Sequence, residues 1–294
     1  MKASIGSAAI LLLAVGVTAQ NLYVASGNNI LEFAPNGTQS TFAASGVTVP
    51  RGLAFDGSGD LFEADWWNGI IYEFTPGGVQ STFASGLNHP TGLAFDSAGN
   101  LFEADAGSGN INKFTPGGGQ STFASGLSGP QALAFNRAGN LFVGDGNNIY
   151  QYTAAGVQSL FASGLVNTRG LAFDSAGTLF VGEGGPSSST IIEITPGGVQ
   201  IPFATYSAFD LYAIAFDSAG NLFSVNVPTP VNFGYNGIIY QFTPGGVRST
   251  FAYPLDSPEG LAFQPVPEPS VLGLLAISGS ALIVRQLHRR AIFA

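Results

Sequence analysis

The sequence predicts an all-β fold, a six-bladed β-propeller of four-stranded antiparallel blades. Three observations predict it. Gly-Leu-Ala-Phe-Asp and its variants recur six times, at 52, 92, 132, 170, 213 and 260, with starts 40, 40, 38, 43 and 47 residues apart. Each interval holds four short segments in which apolar residues alternate with small or polar ones and which end at Gly, Pro, Asn or Asp. A period near 40 residues with four strands per period is the signature of a propeller blade. Composition agrees: 41 glycines, 17 prolines, 24 phenylalanines and 9% charged residues suit many short strands joined by turns.

The chain opens with Lys2, an apolar run from Ala8 to Val17, and small residues at Val17-Thr18-Ala19. This three-part order predicts a secretory signal peptide over 1–19. The propeller is expected over 20–265.

Within it, the first strand of each unit is Gly-Leu-Ala-Phe-Asp or its variant. The second is marked by Leu22-Tyr23, Leu61-Phe62, Leu101-Phe102, Leu141-Phe142, Leu179-Phe180 and Leu222-Phe223. The third ends at Phe33, Phe74, Phe114, Tyr152, Ile194 and Phe242, and the fourth centres on Phe42, Phe83, Phe123, Phe161, Phe203 and Phe251. Turns such as Asp96-Ser97-Ala98-Gly99-Asn100 and Thr115-Pro116-Gly117-Gly118 join them. Gly supplies positive φ there, and the Asp carboxylate bonds nearby N–H groups. The chain enters at a second strand and leaves on an extra first strand, Gly260 to Gln264. The two ends therefore complete one blade, and a closed ring is expected rather than an open solenoid. Leu and Phe should fill the gaps between blades, and the first-strand Gly and Ala should line the crowded centre.

Beyond the propeller, Val266-Pro267-Glu268-Pro269-Ser270 is followed by an apolar stretch from Val271 to Val284 and then Arg285, His288, Arg289 and Arg290. This reads as a short transmembrane helix with its cytoplasmic end held by arginines. Motif, helix and basic end together resemble the PEP-CTERM sorting signal of Gram-negative bacteria. The resemblance implies an exosortase-type membrane protease as a partner that recognises Pro267, Glu268 and Pro269. It also implies a surface or extracellular-matrix location with transient anchoring through the tail at 266–294. The repeats resemble NHL-repeat and gluconolactonase-like six-bladed propellers. Streptogramin lyases have similar repeats but are described with seven blades.

Removal of both ends leaves 17 acids against 5 bases. A domain so acidic lacks the basic patch that nucleic acid requires, so no nucleic-acid partner is expected. The chain has no cysteine, hence no disulfide or thiolate chemistry. A monomer is expected.

Chemistry is sought on one edge of the disc. The loop after each second strand carries Ser26, Asp65, Asp105, Asp145, Glu183 or Asn226 at one aligned position. Asp65, Asp105, Asp145 and Glu183 either ring the channel mouth and attract Ca²⁺, the only cofactor contemplated, or each caps its own turn. Trp66 and Trp67, the only tryptophans, follow Asp65 and either offer a sugar-stacking platform or pack over a neighbouring loop. Insertions at Gly184–Ser189 and Pro228–Asn236 fall in equivalent loops. Just before the first strands, Arg51, Thr91, Gln131, Arg169, Tyr212 and Glu259 should ring the mouth. The domain's one histidine, His89, sits in a loop where solvation is the expected role, and no Ser-His-Asp relay is visible. Two functions follow. The first is an exported binding or scaffold module, with extracellular polysaccharide or protein as partner. The alternative is a metal-dependent lactonase- or lyase-like enzyme. No residue is assigned a catalytic role.

Overall fold

A strand hydrophobic on both faces must be covered on both, and stacked sheets around an axis do this for every strand except the outermost. The computed structural model describes residues 20–266 apart from 45, 186–187, 208 and 229–235. The expected signal peptide, the Pro267-Glu268-Pro269 motif and the apolar tail lie outside the described residues. The chain divides at Gln264/Pro265 into two units, and all the described strands belong to the first.

That unit is a ring of six four-stranded antiparallel blades. The first is β4 (Pro50–Phe55), β5 (Leu61–Asp65), β6 (Ile70–Phe74) and β7 (Gln80–Ser85). The second is β8 (Pro90–Phe95), β9 (Leu101–Asp105), β10 (Asn110–Phe114) and β11 (Gln120–Ala124). The third is β12 (Pro130–Phe135), β13 (Leu141–Asp145), β14 (Asn148–Tyr152) and β15 (Gln158–Ala162). The fourth is β16 (Thr168–Phe173), β17 (Leu179–Glu183), β18 (Ser188–Ile194) and β19 (Gln200–Ser207). The fifth is β20 (Phe209–Phe216), β21 (Leu222–Pro228), β22 (Asn236–Phe242) and β23 (Arg248–Asp256).

The closing blade takes β1 (Leu22–Ser26), β2 (Asn29–Phe33) and β3 (Gln39–Ala43) from the start of the domain and β24 (Pro258–Phe263) from its end. β24 pairs with β1 from Leu22↔Phe263 to Ser26↔Pro258, as the phase of the repeat requires.

Each blade is fastened to the next by one aromatic triad. The second-strand ring stands edge-on to a fourth-strand Phe of its own blade and to the first-strand Phe of the following blade. Phe62 meets Phe83 and Phe95, each at 5.0 Å. Phe102 meets Phe123 and Phe135 at the same distance. Tyr23, Phe142, Phe180 and Phe223 repeat the arrangement, so the pattern closes around the ring. Edge-on pairs add about 0.5–1.5 kcal/mol beyond the area they bury.

The crowded centre accounts for the first-strand glycines. A Cβ on Gly52 would overlap the carbonyl oxygen of Thr91, and one on Gly260 would overlap that of Arg51. The hairpin turns behave as expected: Asp96 Oδ1 accepts from the N–H groups of Ala98 and Asn100 at 2.9 and 2.8 Å, and Gly99 sits at φ 79°.

The fourth and fifth blades depart from the pattern. The insertions read as loops are partly absorbed into longer strands, with Ser188 and Ser189 in β18 and Pro228 and Asn236 in β21 and β22. Cross-strand pairing makes this favourable, since Ser188, Ser189 and Thr190 face Ser207, Tyr206 and Thr205.

Candidate functional site

The mouth of the channel is built by one irregularity repeated in every blade. Where each first strand pairs with its second, the register shifts by a β-bulge. The bulges fall at or beside Arg51, Thr91, Gln131, Arg169, Tyr212 and Glu259. A bulge re-aims a side chain that regular pleating would bury against a neighbour. These six residues, with the small residues behind them, line a cavity of about 460 Å³. The sequence placed the ring correctly. It placed the residues before the strands, whereas the bulges extend the strands to include them.

In ring order Arg51 and Arg169 stand on opposite blades, and both are already paired. Arg51 Nε lies 2.7 Å from Glu259 Oε2, and Arg169 Nη1 donates to Asp210 Oδ2 at 2.8 Å. The Arg169 guanidinium also lies 4.5 Å from the centre of the Tyr212 ring. With its amide oriented so that the oxygen faces Arg169, Asn167 accepts from Nε and Nη2 at 3.0 and 3.1 Å. Burial raises the pKa of Glu259, and Arg51 and Arg169 oppose that rise. Burial likewise raises the Tyr212 hydroxyl, against the pull of Arg169. Thr91 and Gln131 complete the ring as neutral hydrogen-bonding groups.

The four acids stand one strand further out, and none lines the cavity. Asp65 accepts from the N–H groups of Thr48 and Asn68 at 2.7 and 2.9 Å. Asp105 accepts from those of Asn88 and Ser108 at 2.9 and 3.1 Å. Asp145 accepts from those of Ser128 and Gly129 at 3.0 and 2.8 Å, and Glu183 from that of Val166 at 2.7 Å. Each carboxylate thus ties down the loop that enters its own blade from the previous one. Burial raises the Glu183 carboxyl, partly offset by that bond. Among the described residues no three His, Asp or Glu side chains converge in a way that could hold a metal ion. The expected Ca²⁺ ligands are therefore not brought together, and each accepts from at least one backbone donor instead.

The two tryptophans part company. Trp66 is clamped between the Arg51 guanidinium, 4.4 Å from its ring centre, and the His89 imidazole, stacked at 4.2 Å. Its packing links the mouth to the loop before β8, and His89 has a structural partner rather than a purely solvated role. Trp67 remains 67% exposed.

Two buried groups escaped the sequence reading. Glu63 and Glu103 are fully buried where the third and fourth blades carry Val143 and Val181. Asn112 Nδ2 donates to Glu103 Oε2 at 2.9 Å, while Glu103 Oε1 and both oxygens of Glu63 have no partner among the described residues. Burial, with the nearby Asp105, pushes Glu103 up to about 8, the Asn112 bond opposing it; burial and Asp65 push Glu63 up as well. Their signal was a charged residue at a position that is valine in the third, fourth and closing blades.

No known protein family matches the chain, and no curated protein matches its sequence. Solved structures do. A chain of the nidogen/laminin complex superposes with a TM-score of 0.71 at 19% identity, over 84% of this chain and 98% of its own. A gluconolactonase from Xanthomonas campestris gives 0.64 at 16% identity, over 83% and 88%. Virginiamycin B lyase from Staphylococcus aureus with quinupristin gives 0.60 at 16%, over 84% and 92%. At these identities the likeness establishes the fold alone.

Proposed function

We propose that the chain is an exported propeller that serves as a binding or scaffold module at the cell surface or in the extracellular matrix of a Gram-negative bacterium. Its ligand face is the channel mouth. One observation carries the reading: blades that otherwise repeat a consensus place Arg, Thr, Gln, Arg, Tyr and Glu at the bulge that lines the cavity. A different side chain at the same concave position of every repeat is what a selective surface requires. The arginines are neutralised within the ring, so a ligand is addressed by hydrogen bonds and aromatic faces rather than by net charge.

Export and sorting rest on the two ends of the sequence, with an exosortase-type membrane protease as the processing partner. Extracellular polysaccharide is the favoured ligand class and a matrix protein the other. The neighbour from the nidogen/laminin complex supports a role in assembly.

The lactonase or lyase alternative draws on the other neighbours. Against it, Glu259 is the only carboxylate lining the cavity among the described residues, and it is held by Arg51.

The test is co-sedimentation of the purified protein with exopolysaccharide from its own host, beside an assay of aldonolactone hydrolysis with added Ca²⁺. Binding that Arg169→Ala abolishes, with no turnover, supports the module. Turnover that Glu259→Gln removes would establish the enzyme instead. Replacing Pro267, Glu268 and Pro269 with alanine should block surface processing, and normal maturation of that variant would refute the sorting assignment.

A further inference from the structure

We propose that Trp67 is the outer part of an extended glycan-binding surface that runs from the channel mouth to the rim of the first blade. This rests on the reading of the mouth as a ligand site and names the ligand class as a neutral chain of pyranose units.

The molecule supplies its own control. The β5–β6 and β9–β10 turns are built alike. Asp65 Oδ1 accepts from the Asn68 N–H at 2.9 Å, and the Gly69 N–H donates to the Asp65 carbonyl at 3.0 Å. In the next blade Asp105 Oδ1 accepts from the Ser108 N–H at 3.1 Å, and Gly109 donates to the Asp105 carbonyl at 2.9 Å. Gly69 and Gly109 have φ of 65° and 70°. Yet one turn carries Trp66-Trp67 and the other Ala106-Gly107. The turn therefore needs neither indole. Trp66 is used in packing, but Trp67 leaves most of its ring in water, which folding alone does not favour.

Three features favour a glycan. First, the base of the platform is packed: Arg51 and His89 both lie against the Trp66 ring, so that residue loses little freedom when a ligand settles beside it. Second, the surface is continuous. Arg51 lines the mouth and lies over Trp66, whose ring centre is 6.0 Å from that of Trp67. A partner that uses both ends must be extended. Third, the surroundings are polar and the arginine among them, Arg51, is paired with Glu259, while the amide of Asn68, next to Trp67 in the chain, donates to Thr48 Oγ1 at 2.8 Å. An acidic domain disfavours anionic membranes and polyanions. A neutral pyranose offers a C–H face to the indole and hydroxyls to the mouth.

Trp66 and Trp67 are the only tryptophans, so tryptophan emission, excited selectively over tyrosine, reports on this surface alone. The full-length protein is titrated with cellohexaose, maltohexaose and xylohexaose and with the matching disaccharides, by fluorescence and calorimetry. At least one hexasaccharide should bind and shift the emission, with its disaccharide much weaker. Trp67→Ala should weaken that binding at least about tenfold with an unchanged melting temperature, and Trp67→Tyr should retain most of it. Equal affinity in wild type and Trp67→Ala would overturn the platform while leaving the mouth reading intact. No calorimetric binding of any hexasaccharide would overturn both for neutral glycans. Self-association lost on Trp67→Ala would assign the ring to a second copy and overturn the proposal.

Discussion

The first and second blades are near copies that differ where it matters. β5 and β9 are both Leu-Phe-Glu-Ala-Asp, and residues 74–78 and 114–118 are both Phe-Thr-Pro-Gly-Gly. The fourth strands share Gln-Ser-Thr-Phe-Ala, and Ser follows in both. Everything these residues do is shared: the aromatic triads, the turns, and the carboxylate that holds the incoming loop. Thirteen of the 40 aligned positions differ, and three sets of them bear on function: Arg51 stands against Thr91, Trp66-Trp67 against Ala106-Gly107, and Tyr72 against Asn112. The first two lie on the mouth face. The third decides whether a buried glutamate has a partner, because Tyr72 pairs with Glu63 in register and Asn112 with Glu103. A scaffold and its site are thus separable within 40-residue copies.

That separation can be broken in a graded way. The largest effect belongs to a scaffold position common to both blades. Gly52→Ala drives a methyl into the Thr91 carbonyl and should destabilise by about 3 kcal/mol or more, with Gly92→Ala milder because its nearest backbone atom is further away. Gly57→Ala, with open space around it, is the control. Thermal melts that rank Gly52→Ala with Gly57→Ala would show that the centre is looser than the geometry implies.

Next come the buried glutamates. Glu63→Val restores the residue of the third and fourth blades and should raise stability at pH 7 by about 1–3 kcal/mol, whereas Glu103→Val should gain less because it leaves the buried Asn112 amide without its acceptor. Glu63→Val breaks no such bond, since neither of its oxygens has a partner among the described residues. The pH dependence follows from the raised pKa values. The fold favours the protonated form, so stability is greatest below the unfolded-chain pKa of about 4.3 and falls as pH rises. For Glu103 the fall ends near pH 8, where it ionises in the folded protein. Denaturant titrations from pH 4 to pH 9 should show this slope in wild type and a flatter one in the double variant. An unchanged slope would place the titration elsewhere.

Asp65→Ala and Asp105→Ala each free two backbone donors and should cost about 1–3 kcal/mol apiece without any change in bound metal. An ion lost on either substitution would contradict the turn-capping role. The smallest effect is Trp67→Ala, within about 0.5 kcal/mol of wild type in stability. A larger loss would mean that the two turns are less alike than their hydrogen bonds indicate.

Much of this was legible in the chain. Repetition exposed the strands, because a propeller uses the same alternation and the same turn chemistry in every blade. The closing blade followed from the phase of the ends. Even the identities of the mouth residues were readable from their alignment beside the glycines. Less was legible for the acids, since Asp at a strand end serves equally to bind an ion or to cap a loop. Only the positions of the Thr48, Asn88, Ser128 and Val166 N–H groups distinguish the two. The partners of Glu63 and Glu103 were not legible at all.

By itself, then, the sequence determined the period, the number of blades, the manner of closure and the ring of candidate residues. These depend on local patterns that repeat. The tertiary structure decided which side chains meet. It aimed the ring inward through the bulges, paired Arg51 with Glu259 and Arg169 with Asp210, and laid Trp66 between Arg51 and His89. These contacts join residues on different strands or different blades. Their energies depend on distance and burial, which no pattern along the chain records.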